Sequence, residues 1–173
     1  MAKALDGFDR SQQLEDTTLG WRMINPKMRE RYGVDTMAQT AENLAQLFSI
    51  SRQDQDAFAY RSQQRAAFAI NEGFLAAEIM PAGSLLIDEQ PRSDTTLEKL
   101  SSLKSITGEI GSITAGNASS LNDGSAVLLL ASAKAVEQYG LIPRARISGM
   151  ASAGVQPKIM GYGPVPAIEK LLA

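Results

Sequence analysis

The stretch Thr114–Ala126, TAGNASSLNDGSA, restricts this chain more than any other feature. Eight of its thirteen residues are Gly, Ala or Ser, and it runs directly into Val127-Leu128-Leu129-Leu130. Side chains this small let a backbone approach a ligand or a second backbone closely, and Gly116 and Gly124 have access to dihedrals closed to other residues. Asn117, Asn122 and Asp123 add short polar arms that bond to nearby backbone and hold turns. On residue types alone the segment is either the wall of a binding site or a surface for close helix packing. The chain contains no cysteine and no histidine, so the commonest nucleophile and base pairings lie outside its reach. It reads as a binding wall without reacting groups.

The bulk properties agree with a folded, non-membrane chain. Its 173 residues are enough for one domain, or one and a half, with a real core. Hydrophobic content of 44% and charged content of 21% fit a soluble globular protein. With 17 Lys and Arg against 19 Asp and Glu, the chain offers no field for nucleic acid or an anionic membrane. The longest apolar run, Ala126–Ala131, is far too short to span a bilayer. The polar N-terminus lacks the apolar centre of a secretory signal, so a cytoplasmic location is the expectation. Without cysteine or histidine, no metal site is expected.

Local signals divide the chain into elements. Residues 1–18 read as a polar, extended or partly ordered lead-in. Pro26 suits the first turn of a helix ending near Gly33. Thr36–Gln39 and Ser51–Asp54 have the form of capping boxes. The first opens a helix carrying Ala41, Leu44, Ala45, Leu47 and Phe48; the second opens one running to about Asn71 and stopping at Gly73. On that second helix Phe58, Ser62, Ala66 and Ala69 suggest a narrow stripe for another helix. A loop follows around Pro81, Gly83 and residues 88–96, then a short helix within 95–104. Ser125–Ser132 reads as a buried helix or strand, Ala133–Tyr139 as an amphipathic helix capped by Gly140, and Arg146–Ser152 as a strand. Gly154–Pro166 is a Gly/Pro-rich loop before a final helix from Pro166. Glu42, Asp54 and Asp56 read as caps and solvated faces, not catalytic carboxylates. The basic run of Arg22, Lys27, Arg29 and Arg31 sits beside Trp21, Met23 and Met28, which together suggest an exposed apolar patch.

Read in order, four blocks resemble the thiolases. They are TAENLAQLFSISRQDQDAFAYRSQQRA at 40–66, DEQPRSDTTLEKLSSLK at 88–104, TAGNASSLNDGSAVLLLAS at 114–132 and PRARISGMASAGVQPKIMGYGPVPAIEKLL at 143–172. The segment DTTLGWRMINPKMRERYGVDTM at 16–37 is similar to the branch of that family acting on 3-oxoadipyl-CoA. The resemblance implies an α/β, thiolase-like fold and a central fragment of a longer enzyme. Residues 1–121 would be the mostly helical loop domain, which binds CoA and assembles tetramers. Residues 122–145 would be the end of the N-terminal core repeat, and 146–173 the start of the C-terminal one. The implied chemistry is acyl transfer between a 3-oxoacyl-CoA and free CoA, with CoA a substrate and not a cofactor. The catalytic cysteines and histidine of the family fall outside the matched motifs, so no catalytic residue is expected here and the chain alone is expected to be inactive.

The same resemblance implies roles for particular residues. Arg92, in DEQPRSD, matches an arginine beside the nucleotide end of CoA, where a guanidinium meets phosphate oxygens or adenine. Ala115 and Ser119 match positions lining the pantetheine arm. Met37 and Met160 match two methionines near the acyl end, where a flexible thioether suits an apolar wall. The sequence departs from the pattern at Lys99, at Thr107 (a phenylalanine position near the nucleotide), at Ser120 and at Thr36-Met37-Ala38. The expected partners are CoA or acyl-CoA and further copies of the chain, as a homo-oligomer. The alternative is a non-catalytic module that binds CoA or associates with itself.

Overall fold

Among the described residues, five of the six α-helices begin where a short polar side chain replaces a missing backbone partner. The computed structural model describes residues 2–4, 12–14, 21 and 23–173. Asn25 Oδ1 accepts the Lys27 amide at 2.9 Å to open α1 (Pro26–Tyr32). Thr36 Oγ1 accepts the Gln39 amide at 3.2 Å to open α2 (Met37–Leu47). Ser51 opens α3 (Arg52–Asn71) through the Asp54 amide, Thr96 opens α4 (Leu97–Ser102) and Ser132 opens α5 (Ala133–Gln138). Each such cap contributes about 1 kcal/mol against alanine. The last helix, α6 (Pro164–Leu172), starts without a side-chain cap and has proline in its first turn, where a missing N–H costs nothing. Gly73, at φ 71°, ends the chain's path out of α3.

The chain divides into two compact units. The first comprises Met1–Ser120 with Val155–Tyr162. It holds α1 to α4, a small antiparallel pair of β1 (Ala2–Ala4) and β2 (Gln12–Leu14), and a 3-10 segment, Pro157–Tyr162. The pair is registered with Ala2 opposite Leu14, within the segment expected to be a lead-in. The 3-10 segment returns along α2. Tyr162 stacks on Phe48 with ring centres 5.3 Å apart, and Gly161 lies so close to Leu44 that a Cβ would come within 2.9 Å of it. Among the described residues the buried apolar side chains are Ala45, Leu100 and Ile113, while Thr40, Glu42, Asp56 and Thr114 are buried polar ones. With so little apolar core, the polar groups must be satisfied in place, because an unpaired buried one costs more than a hydrogen bond gains.

That requirement corrects two expectations. Glu42 and Asp56 do not face solvent; they are 5% and 4% exposed. The covered side of α3 is set by Arg52, Gln55, Asp56 and Ala59, not by Phe58 and Ser62, which are exposed. Phe58 instead carries the Arg61 guanidinium 5.3 Å above its ring.

The second unit comprises Leu121–Gly154 with Gly163–Ala173. It contains α5 and α6, and Lys170 Nζ donates to the Ser152 carbonyl at 3.1 Å. The expected buried element at Ser125–Ser132 and the expected strand at Arg146–Ser152 are irregular here. Val127 and Leu128 are 95% and 86% exposed. A strand requires a neighbour for its N–H and C=O groups, and no described strand pairs with either segment. No helix among the described residues is long and apolar enough to cross a membrane.

The tightest backbone approach in the first unit is at Gly111, where an added Cβ would overlap the hydroxyls of Thr107 and Ser105. Gly111→Ala is therefore expected to lower the unfolding free energy by about 2 kcal/mol, measured as a reduced urea midpoint at unchanged slope. A midpoint equal to the wild type would show that this loop yields without cost.

Candidate functional site

The small-residue segment owes its shape to two buried carboxylates on different helices. On α2, Glu42 accepts the Thr107 hydroxyl at 2.7 Å, the Ser112 amide at 2.8 Å, the Ser112 hydroxyl at 2.9 Å and the Ile113 amide at 3.1 Å. On α3, Asp56 accepts Arg52 Nε at 2.8 Å and Asn117 Nδ2 at 3.0 Å. Arg52 also donates to the carbonyls of Leu100 and Leu103 at 2.7 and 3.1 Å, and so holds the end of α4. Asn117 closes the turn on itself. Its Oδ1 accepts the Thr114 amide at 2.8 Å, and Thr114 Oγ1 accepts the Gly116 and Asn117 amides. Gln55 Nε2 reaches Ser112 Oγ at 2.9 Å and joins the two clusters. Residues 112–117 are thereby fastened from below, and Ala115 and Ser119 are left exposed.

Burial pushes the Glu42 carboxyl upward, but the hydrogen bonds from Thr107, Ser112 and Ile113 outweigh it and hold the group below its ordinary 4.5. Thr107, at a position where the resemblance departs from the family pattern, is thus occupied by Glu42. Lys99, another departure, donates to the Asp94 carboxylate at 2.7 Å and to its backbone carbonyl. That bond and the ammonium charge hold Asp94 below its usual range.

Arg92 lies on the loop before α4, exposed, with its amide donating to Gln63 Oε1 at 2.8 Å. Gln63 and Asp56 are seven residues apart on α3, so the loops carrying Arg92 and Ala115 dock about 10 Å apart along one helix.

Met37 and Met160 line a different feature, a half-open and mainly apolar hollow of about 420 Å³. That volume falls within the ~300–1,000 Å³ range of small-molecule pockets. Trp21, Tyr32, Thr40 and Lys158 share its wall. Arg92, Ala115 and Ser119 do not line it. Sequence reasoning missed the residue that assembles the hollow, Asn43. Its Nδ2 donates to Asp35 Oδ2 at 2.8 Å and to the Lys158 carbonyl at 2.9 Å, tying the turn before α2 to the 3-10 segment. Trp21 Nε1–H donates to the Asp35 carbonyl at 3.0 Å, and the Lys158 stem lies over Gly33, whose φ of 74° only glycine adopts easily. No local signal marks Asn43, because one of its partners is 115 residues away.

The family model described as "Thiolase, N-terminal domain" matches residues 4–134. The chain belongs to the thiolase family. It is 58% identical to the β-ketoadipyl-CoA thiolase of Pseudomonas aeruginosa, in an alignment covering 99% of this chain and 45% of that protein. The β-ketoadipyl-CoA thiolase of Acinetobacter baylyi is 52% identical over the same shares of the two chains. The chain thus spans less than half the length of these relatives. Among solved structures, the acetyl-CoA acetyltransferase of Bacillus anthracis superposes with a TM-score of 0.75 at 42% identity, over 90% of this chain and 43% of that one. Human mitochondrial 3-ketoacyl-CoA thiolase in complex with CoA gives 0.74 at 42% identity, over 79% of this chain and 36% of its own. The fold is thiolase-like.

Replacing the Glu42 carboxylate tests the anchor. Glu42→Gln turns one acceptor into a donor facing amide hydrogens, at an expected loss of about 2 kcal/mol near neutral pH. Because the folded-state pKa is depressed, the carboxylate's contribution is present above 4.5 and fades as pH falls through the folded value. The stability gap between wild type and variant should therefore narrow in acid, as followed by urea unfolding across that range. A gap independent of pH would remove the charge from the explanation.

Proposed function

We infer that this chain is the CoA-handling part of an acyltransferase acting on 3-oxoadipyl-CoA or a similar 3-oxoacyl-CoA. The observation that carries the reading is the 58% identity to a β-ketoadipyl-CoA thiolase across 99% of the chain. In this reading Arg92 meets the nucleotide end of CoA, and its exposed guanidinium is free to offer several donors to phosphate. Ala115 and Ser119 flank the pantetheine arm, the first keeping the passage open and the second offering a hydroxyl. Met37 and Met160 border the acyl chain in the hollow. CoA enters as a substrate. No cysteine or histidine is among the 173 residues, so the thiolate and base of thiolysis must come from outside them. The chain alone binds and does not turn over.

A second reading, self-association without catalysis, is favoured by the exposed run Val127–Leu130. Tetramer formation, as the resemblance implies for the whole family, belongs with this reading.

Two measurements test the first reading. The purified chain with 3-oxoadipyl-CoA and free CoA is expected to show no thiolysis, and clear turnover would refute the reading. Calorimetry is expected to show CoA binding that Arg92→Ala weakens by about tenfold, the equivalent of ~1.4 kcal/mol. Acyl thioesters of N-acetylcysteamine, which lack the nucleotide, should bind the variant as they bind the wild type. Equal loss for both ligands would take Arg92 away from the nucleotide.

A further inference from the structure

We propose that Trp21 sets the length of acyl chain that the hollow admits. The proposal rests on reading the hollow as the acyl site. Its wall combines two kinds of apolar side chain. Met37 and Met160 are unbranched, with three rotatable bonds each, and adapt to whatever lies against them. Trp21 is rigid, and its indole N–H is bonded to the Asp35 carbonyl. Asp35 is fixed in turn by Asn43, and the same Asn43 amide holds the Lys158 carbonyl in the segment that carries Met160. A continuous chain of hydrogen bonds therefore runs from the indole to the 3-10 side of the hollow. The methionines can move aside for a longer chain, whereas the indole can do so only by breaking its bond. The stiff element fixes how far a chain extends, and the soft ones fill the remaining space.

The geometry also supplies a reporter. Trp21 is the sole tryptophan in the chain and is 41% exposed, so an acyl group laid against it changes both its emission maximum and its quenching by added iodide. Tyr32 is the other ring in the wall, and Trp21, tethered to the Asp35 carbonyl, is the residue to change.

The test uses the 3-oxohexanoyl and 3-oxodecanoyl thioesters of N-acetylcysteamine, which differ by methylenes alone, with CoA itself as a third ligand. In the wild type, the hexanoyl thioester should shift Trp21 emission to shorter wavelength and bind at least as tightly as the decanoyl one. In Trp21→Ala, calorimetry should find the preference reversed. Each methylene that gains apolar cover is worth about fourfold, so the decanoyl-to-hexanoyl ratio should rise by at least about tenfold. Trp21→Phe keeps a ring without the tether and should fall between the two. An unchanged ratio in both variants, or no response of Trp21 emission to either thioester, overturns the proposal. If the thioesters behave as expected but CoA does not bind, the CoA reading of the Arg92 and Ser119 surface fails while the role of Trp21 stands. If CoA binds and the thioester ratio does not move, the reverse holds.

Discussion

The Glu42 carboxylate is the constraint on which the first unit depends. Four donors converge on two oxygens, three of them from the segment between Ser112 and Ile113 and one from Thr107. Few apolar side chains are buried alongside it, so packing alone does not fix the relation of α2 to residues 105–117. Hydrogen-bond geometry does so instead. A charged acceptor with three donors on one oxygen and one on the other is costly to disturb, since removing any one donor leaves a buried charge short of a partner. Gly111 follows from the same point, because the loop must turn so close to Thr107 and Ser105 that no side chain fits.

Asp56 repeats the arrangement one helix later, with a difference that matters. It is paired with Arg52 on its own helix, and that guanidinium reaches on to the carbonyls of Leu100 and Leu103. One carboxylate thus fastens both Asn117 and the end of α4. Gln55 links this cluster to Ser112 and so to Glu42. Ala115 and Ser119 are left exposed, while Thr114 and Asn117 are turned inward and Gly116 lies against Leu100 and Leu103. This surface is shaped by what lies beneath it.

What was legible in the sequence divides along the range of the interactions. The caps at Thr36 and Ser51 bond within three residues, and the four-residue boxes that carry them signal the two helices directly. The helix at 52–71 and its stop at Gly73 follow from the same kind of signal. The burial of Glu42 and Asp56 does not: apart from Arg52, four residues from Asp56, their partners lie 61 to 71 residues away, and a Glu within an amphipathic helix reads as solvated. Asn43 was missed for the same reason. The apolar segments at 125–132 and 146–152 fail in the opposite way. The first has the composition of a buried element and the second alternates like a strand, but neither signal supplies a neighbouring strand, and no described strand pairs with them. The small-residue motif was legible as a place of close backbone approach, and Gly116 does lie against Leu100 and Leu103; that Thr114 and Asn117 brace it from within was not.

The two candidate surfaces of the first unit are built on different principles, and this bears on how they would share one ligand. The surface around Arg92, Ala115 and Ser119 lies along α3 and is braced by charges, which suits the recognition of a constant, polar handle. The hollow is apolar, lined by two adaptable methionines and one tethered indole, which suits a variable chain. Binding energy gathered from a constant handle can be used to hold a reacting centre in place without itself discriminating between substrates. Discrimination then falls to the apolar hollow, where a single buried methylene changes affinity by about fourfold. A rigid wall sharpens such weak discrimination, because a chain that is too long must break the indole–Asp35 hydrogen bond as well as find space. Under the proposed reading, the separation of a braced polar surface from a partly soft apolar hollow would let one scaffold keep its grip on the carrier while the residue at position 21 tunes the admitted acyl group.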